Sequence, residues 1–303
     1  MTPTLSIIIP TYLRPESLTR CLHELEQQSG EVSDCPIEIM VSEDSKDTKS
    51  KQIVARHPNT CWTKGPGKGP AANRNHATSK ASGEWLLFLD DDVHPQPGFL
   101  KAYAQAITSD QNDVLEGRMI CRDERNSPFY RMAENKTGGH LFTANFAIRK
   151  DTFEELGGFD EELIIMEDLE FAHRLKTSGK RISFLAKATV DHPAQRFSLS
   201  YFWRWIFHFK WGLLLRYKTG EANPKRTLPK ALSETTRNHL VLMARKTVHL
   251  FTQHNPKSWV NAWVWQAWGW LTLPLTLPHL WYWEMRYLRK YRTRPVGAKQ
   301  CPS

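Results

Sequence analysis

Residues 69–92 read GPAANRNHATSKASGEWLLFLDDD, in which a segment of helical character leads into a short apolar run and three consecutive aspartates. The apolar run Trp85–Leu89 contains no polar residue, a pattern typical of a strand buried on both faces of a sheet. A helical segment at Ala71–Ala81 directly before it indicates alternating helices and parallel strands. This stretch therefore predicts an α/β fold with three aspartates at the carboxyl end of a buried strand.

The same alternation extends toward the N-terminus. Leu5–Pro10 and Ile37–Ser42 are β-rich runs, and Glu16–Gln28 between them has a helical pattern. The sequence thus predicts a mainly parallel sheet flanked by helices. Because ligands in such folds bind beyond the carboxyl ends of the strands, the residues that follow the strands are the site candidates: Pro10, Thr11, Asp44, Asp90, Asp91 and Asp92.

Three adjacent carboxylates need a compensating charge, because neighbouring like charges repel and raise one another's pKa. Mg²⁺ or Mn²⁺ would supply it and would also bind phosphate oxygens of a ligand. In an extended chain Asp90 and Asp92 point to the same side, so they are the predicted pair facing the ligand. Asp91 faces the other way and can serve the structure. The alternative is an acidic turn with Asp92 as a cap.

Charge is distributed unevenly along the 303 residues, whose net charge is +9. Residues 196–303 hold 18 Lys and Arg against 3 Asp and Glu, together with ten of the twelve tryptophans. A basic segment suggests an anionic partner, and tryptophan beside basic residues is typical of membrane interfaces. No zinc-finger, RNP or KH signature supports nucleic acid as that partner. We therefore expect two domains, a catalytic domain at 1–195 and an α-helical, membrane-associating extension at 196–303.

The segment Ser258–Trp283 contains no Asp, Glu, Lys or Arg over 26 residues, which exceeds the roughly 20 that a membrane-spanning helix needs. Pro274 and Pro278 are expected to kink or end a helix here, and the aromatic content favours the headgroup level. Together with the basic, aromatic stretch 201–218, this predicts a helix or helical hairpin lying in the membrane interface. The alternatives are a spanning helix and an aromatic core packed within the protein.

Four motifs, in order, resemble those of the family 2 glycosyltransferases. They are SIIIPTYLRPESLTRCL at 6–22, IEIMVSEDSKD at 37–47, GPAANRNHATSKASGEWLLFLDDD at 69–92 and GGFDEELIIMEDLEFAHRLKTSG at 157–179. The resemblance covers roughly residues 4–195. It implies a GT-A fold, inverting transfer of a sugar from a nucleotide-sugar, expected to be a UDP-sugar, and a divalent metal, Mn²⁺ or Mg²⁺, on the donor diphosphate.

The resemblance also implies roles for individual residues. Asp168 matches the general base for the acceptor hydroxyl, although an acidic residue here also suits the helix dipole. Metal ligation is expected from Asp92 and from His192, for which a surface or cap histidine is the alternative. Glu167 and Asn145 are candidate acceptor contacts, and strand packing explains Asn145 equally well. Donor contacts are expected from Pro10, Thr11, Asp44, Arg74, Asp90 and Asp91.

Two of these donor contacts have alternatives. Arg74 suits bidentate phosphate binding, and it can also pair with the aspartates. Asp44 can accept a hydrogen bond from a uracil-like imide, or it can form a helix cap or Asx turn. Many relatives have Asp-Asp-Gly-Ser where this chain has Glu43-Asp44-Ser45, which leaves the nucleobase preference open.

Scattered cysteines without a Cys-x-x-Cys pair fit a reducing compartment, and the N-terminus lacks the cationic start of a signal peptide. These features predict an enzyme at the cytoplasmic face of a membrane, acting on a lipid-linked or surface-glycan acceptor. A sugar-phosphate nucleotidyltransferase is the competing enzyme class, but the Gly-rich, Arg-containing loop that it requires does not follow Leu5–Pro10. A non-catalytic membrane scaffold with a transferase fold is the competing non-enzyme.

Overall fold

The computed structural model describes residues 4–32, 34–109, 111–123, 130–131, 133–196, 198–252 and 256–292. Their elements, in chain order, are β1 (Leu5–Thr11), α1 (Pro15–Ser29), β2 (Ile37–Glu43), α2 (Lys49–Val54), β3 (Thr60–Lys64), α3 (Pro70–Lys80), β4 (Trp85–Leu89), β5 (His94–Pro95), α4 (Phe99–Thr108), β6 (Val114–Ile120), β7 (Tyr130–Arg131), β8 (Asn145–Arg149), α5 (Lys150–Glu155), α6 (Glu167–Thr177), β9 (Ile182–Asp191), β10 (Gln195–Arg196), α7 (Leu199–Lys218), α8 (Leu228–Thr252), α9 (Pro256–Leu271) and α10 (Leu273–Arg292).

The chain divides into two compact units. The first contains the described residues up to Arg122 together with Ala133–Pro193. The second contains Asp123, Tyr130–Arg131 and the described residues from Ala194 onward. The candidate site residues named above all lie in the first unit.

The strands of the first unit form a sheet in the order β3-β2-β1-β4-β8-β6-β9-β5. Strand β1 is parallel to both β2 and β4, and the register of β1 and β2 runs to Thr11 opposite Glu43. Strands β1, β2 and β4 therefore end at the same edge of the sheet. Strand β8 runs antiparallel to β4 and to β6. The predicted α/β sheet flanked by helices is confirmed, and the reversed β8 makes it a mixed sheet.

Helices cover both faces of this sheet, as its continuously apolar strands require. Ile7 and Leu87 point to the face that packs against α1 and α4. Ile8 and Phe88 point to the opposite face, where they meet residues of α3, α5 and α6. Every residue of β4 is buried. The polar residues that follow β4 thus begin where a core packed on both sides ends.

A buried carboxylate holds the segment that precedes β8. Glu116 of β6 is 1% exposed. It accepts hydrogen bonds from the backbone N–H groups of Gly139 (2.6 Å), His140 (2.8 Å) and Leu141 (2.5 Å). The side-chain amide of Asn135 donates a fourth, at 2.7 Å. Backbone donors that would otherwise be unsatisfied in a loop therefore all end on one side chain.

The described part of the second unit contains helices α7 to α10, and a buried ionic network joins three of them. Glu284 of α10 is fully buried. It accepts hydrogen bonds from Tyr217 Oη (2.5 Å), Arg226 Nη2 (2.5 Å) and Thr235 Oγ1 (2.6 Å). Arg226 also pairs with Glu234 at 2.6 Å. Because both members of the central ion pair are buried and bonded, the network fixes how these helices pack.

The apolar segment that was predicted to form an interfacial helix or hairpin is divided between α9 and α10. The break between the two helices falls at Thr272. Pro274 and Pro278 were expected to kink or end a helix. The break at Thr272 lies two residues before Pro274, whereas α10 continues through Pro278 to Arg292, so Pro278 does not end the helix. Pro278 lies only in the second turn of α10, so it removes one hydrogen bond near the helix start. No helix in the described part of the chain has the length and apolar content of a membrane span.

Candidate active site

The guanidinium of Arg74 joins two elements at the carboxyl edge of the sheet. Helix α3, which carries Arg74, begins after Gly69, whose φ of 101° is in the left-handed region that favours glycine. The Arg74 side chain is buried. Its Nη2 donates to Asp90 Oδ1 at 2.6 Å, and its Nη1 donates to Glu167 Oε1 at 2.9 Å. The end of β4 and the start of α6 are thereby tied to one cation.

The start of α6 places two carboxyl groups, Glu167 and Asp168, close to Arg74. Met166, the residue before the helix, has a left-handed φ of 69°, an uncommon conformation for a residue with a side chain of this size. Glu167 and Asp168 follow in the first turn, where the helix dipole favours negative charge. Burial raises the pKa of both groups above the usual range for Glu and Asp. Asp168 is half-buried, and its Oδ1 accepts a hydrogen bond from the N–H of Leu169 at 2.8 Å.

Asp90, Asp92 and His192 form a cluster whose ligand atoms lie within 4.8 Å of one another. His192 follows β9, and its Nε2 is 3.8 Å from Asp92 Oδ1. Its Nδ1 lies 3.0 Å from the carbonyl oxygen of Pro193, which can only accept, so Nδ1 is the donor of this hydrogen bond. Two carboxylates and a neutral imidazole are a donor set that suits Mn²⁺. These three residues therefore fit a divalent metal ion.

The middle aspartate of the triplet has a different environment. Asp91 is 3% exposed, and its Oδ2 accepts a hydrogen bond from the Thr11 hydroxyl at 2.6 Å. Burial raises the pKa of Asp91 to about 6, against the opposing effects of Thr11 and of the Arg14 charge. The alternation of side chains along 90–92 therefore separates the triplet, with Asp90 and Asp92 near His192 and Asp91 directed into the protein.

Arg14, which the sequence reasoning did not single out, contacts the same triplet. Its Nη1 lies 3.2 Å from Asp91 Oδ1 and 2.6 Å from Asp92 Oδ2. The sequence contained an indication of this contact. Arg14 comes shortly after the end of β1, and the aspartates follow β4, the parallel neighbour of β1. That indication depends on the strand order, which the sequence alone does not supply.

The structure shows how the donor-side candidates Thr11 and Asp44 are bonded. The carbonyl oxygen of Thr11 accepts a hydrogen bond from the N–H of Asp44 at 3.0 Å, because the β1–β2 pairing continues to that point. Asp44 forms neither a cap nor an Asx turn. Its carboxylate accepts the N–H groups of Gly67 (2.6 Å) and Gly69 (2.9 Å) and so holds the glycine-rich loop. Pro10 is half-buried just before Thr11.

Asn145, a candidate acceptor contact, is occupied within the sheet. It is 3% exposed, and its Oδ1 accepts the hydroxyl of Tyr103 at 2.7 Å. Its amide nitrogen donates to the carbonyl oxygens of Arg118 and Ala188, both at 2.9 Å. Since these bonds use its donors and its acceptor, they favour the alternative of strand packing. Glu167, the other acceptor candidate, is likewise buried and paired with Arg74.

The chain resembles known proteins in sequence. The profile described as glycosyl transferase family 2 matches residues 6–161, just over half of the chain. Glycosyltransferase AglE of Haloferax volcanii is 26% identical over 211 residues, covering 64% of this chain and 68% of that protein. The GalNAc(5)-diNAcBac-PP-undecaprenol beta-1,3-glucosyltransferase of Campylobacter jejuni is 29% identical over 168 residues, covering 54% of this chain and 53% of its own length.

The fold has a counterpart among solved structures. The crystal structure of S. aureus TarS 1-349 in complex with UDP-GlcNAc superposes with a TM-score of 0.55 and 20% identity, covering 96% of this chain and 90% of that one. An identity of this size shows the shared fold, which is of the GT-A type. Because the family profile spans more than half of the sequence and the relatives are themselves glycosyltransferases, the chain belongs to glycosyl transferase family 2 and is a glycosyltransferase.

Proposed function

We propose that the enzyme is an inverting, divalent-metal-dependent glycosyltransferase that moves a sugar from a UDP-sugar to a lipid-linked or surface-glycan acceptor. The observation that carries this proposal is the Arg74 bridge between Asp90 and Glu167. It joins the segment after β4, which carries the metal-binding candidates Asp90 and Asp92, to the start of α6, which carries the base candidate Asp168. The relative from Campylobacter acts on an undecaprenol diphosphate glycan, and TarS binds UDP-GlcNAc.

In this proposal Asp168 is the general base. An inverting transfer is one in-line displacement, in which the acceptor oxygen attacks the anomeric carbon as the bond to the donor phosphate breaks. The Asp168 carboxylate takes the proton of the acceptor hydroxyl, and the nucleoside diphosphate leaves. Burial raises the pKa of Asp168, which strengthens the carboxylate as a base near neutral pH.

The donor end of the proposal rests on the metal candidates and on Arg74. A divalent ion held by Asp90, Asp92 and His192 would neutralise charge on the departing diphosphate. Arg74 adds a permanent cation at the same edge. Its Nε is buried and has no hydrogen-bond partner among the described residues, so a donor remains for a ligand oxygen. The Asp44 carboxylate already accepts hydrogen bonds from Gly67 and Gly69, so it can bind a nucleobase only while it shares its oxygens with them.

Donor binding and chemistry are tested separately with Asp168→Asn. The wild type should gain thermal stability from a UDP-sugar with Mn²⁺, and Asp168→Asn should keep that gain while transfer falls by about 10²–10⁴-fold. Glu154→Gln, an exposed carboxylate of α5, is the matched control and should transfer normally. Full activity in Asp168→Asn would exclude it as the base. If no UDP-sugar stabilises the wild type, the donor assignment is wrong.

We also propose that residues 196–303 are a separate extension that contacts the cytoplasmic face of a membrane. Cations of this unit lie over exposed or half-buried aromatic rings, a pairing suited to the headgroup level. Lys210 Nζ is 4.7 Å from the Trp283 ring centroid, and the Arg286 guanidinium is 5.0 Å from the same ring. Trp281 and Tyr282 are exposed beside them.

Flotation of the full chain with vesicles containing phosphatidylserine tests this contact. Binding should fall when Arg286 and Arg289, both exposed on α10, are replaced by Glu. The control is the same double charge reversal at Lys68 and Lys80, exposed residues of the first unit. Equal binding by both double variants would refute a contact made through α10.

A further inference from the structure

Each of the three metal-ligand candidates also contacts a group that is not part of the cluster. The Arg74 guanidinium holds Asp90, and the carbonyl oxygen of Pro193 fixes the ring of His192. Outer contacts of this kind orient metal ligands, and losing one typically costs about 10–100-fold in metal affinity. For Asp92, the corresponding outer contact is Arg14.

The two oxygens of Asp92 face different partners. Oδ2 accepts a hydrogen bond from Arg14 Nη1 at 2.6 Å. Oδ1 lies 3.8 Å from His192 Nε2, on the side of the cluster with Asp90. A carboxylate bonded in this way offers one oxygen to a metal and cannot rotate freely to offer both.

The loop that carries Arg14 has little conformational freedom of its own. Leu13 has a left-handed φ of 56°, and Pro15 follows as the first residue of α1. The carbonyl of Arg14 accepts the first helical hydrogen bond, from the N–H of Leu18 at 3.0 Å. The side chain itself is 49% exposed, yet its Nη1 reaches both Asp91 and Asp92. An exposed arginine that bridges two carboxylates from a constrained loop is placed to orient them.

We propose that Arg14 is a positioning residue of the metal site, which holds Asp92 with Oδ1 toward His192 and holds Asp91 out of the cluster. This inference rests on the proposed function, in which Asp90, Asp92 and His192 bind a divalent ion. A second effect of the Arg14 charge opposes this positioning role. A cation this close to the site also repels a divalent ion through Coulomb's law, so a purely electrostatic Arg14 would weaken metal binding. The two roles predict opposite effects of removing the side chain.

The test is the affinity for Mn²⁺, measured from the electron paramagnetic resonance signal of free Mn²⁺ in the full chain, with and without UDP. Arg14→Met keeps an unbranched side chain without donors and should weaken Mn²⁺ binding by about 10–100-fold. Arg14→Lys restores a donor and a charge and should recover part of that loss. Arg20→Met is the matched control, because Arg20 is an exposed arginine of α1 that contacts His94 at 3.3 Å and not the aspartates.

The results separate this inference from the proposed function. If the wild type fails to bind Mn²⁺ even with UDP, the metal site is wrong and the role of Arg14 falls with it. If the wild type binds but Arg14→Met binds equally well or more tightly, the metal site stands and the positioning role is overturned. In an Asp92→Asn background, Arg14→Met should have little further effect on Mn²⁺ affinity, because the two residues act through one contact.

Discussion

Asp91 should make the stability of the metal-free protein fall as the pH rises. Burial raises its pKa to about 6 in the folded protein, from 3.8 in an exposed chain. The folded state therefore holds this proton where the unfolded chain has already released it. The stabilisation is fully present below about pH 4 and is lost as the pH rises through about 6. A difference of about two pH units corresponds to about 3 kcal/mol, at about 1.4 kcal/mol per unit.

Asp91→Asn removes this titration and keeps an oxygen that can accept the Thr11 hydroxyl. The free energy of unfolding of Asp91→Asn, relative to wild type, should rise by up to about 3 kcal/mol between pH 4 and pH 8. Urea unfolding followed by circular dichroism, with EDTA present to exclude metal, measures this difference at each pH. The Arg14 charge acts on the ionised carboxylate, and its effect is already contained in the pKa of about 6.

A control with the opposite slope is available at Glu38. Burial opposes the effect, but hydrogen bonds from Ser6, Ser82 and Gly83 lower the pKa of its carboxyl. Glu38 contributes stability that is present above its unfolded pKa and lost as the pH falls. The free energy of unfolding of Glu38→Gln, relative to wild type, should therefore fall as the pH rises. A difference for Asp91→Asn that is flat, or that falls with pH, would show that burial does not raise the pKa of the Asp91 carboxyl in the way described above.

Two further substitutions test packing. Glu284→Gln should destabilise the protein by about 3–5 kcal/mol in urea unfolding, because it leaves the Arg226 charge buried without its main partner. The control Glu234→Gln, at the more exposed end of the network, should cost less than about 1 kcal/mol. Equal losses in the two variants would contradict the central role of Glu284. Gly65→Ala would place a methyl group 2.3 Å from Asn73 Oδ1 and 2.7 Å from Asp44 Oδ1, which should cost about 1–3 kcal/mol. Gly30→Ala meets nothing within 4 Å and should unfold at about the wild-type urea concentration.

The first unit was largely predictable because its sequence patterns are local. Continuous apolar runs with few interruptions identified β1, β2 and β4, and the two-residue period of an extended chain separated Asp91 from Asp90 and Asp92. Family membership also removes the nucleotidyltransferase from consideration. The assigned chemical roles stay predictions.

Other features could not be predicted because they depend on contacts between distant segments. The role of Arg14 requires β1 to lie beside β4, and the bonds of Asn145 require β8 to run antiparallel between β4 and β6. Local propensity also left open whether Pro278 would kink a helix or end it. Helix α10 continues through it because Leu280, Glu284 and Leu288 on its following turns are buried, and packing of that face outweighs one lost hydrogen bond.

The carboxylate of Glu116 has a consequence for how this enzyme can change. The backbone of residues 139–141 is held by Glu116, a residue of a different strand, and not by the side chains of the segment itself. The exposed ring of His140 can then be exchanged for another side chain while the chain keeps its course. Strand β8, which follows, begins opposite Leu89, one residue before Asp90. Position 140 can therefore diverge in sequence between relatives at little cost to folding, whereas the left-handed φ of 95° at Gly139 and the burial of Leu141 restrict the positions on either side of it.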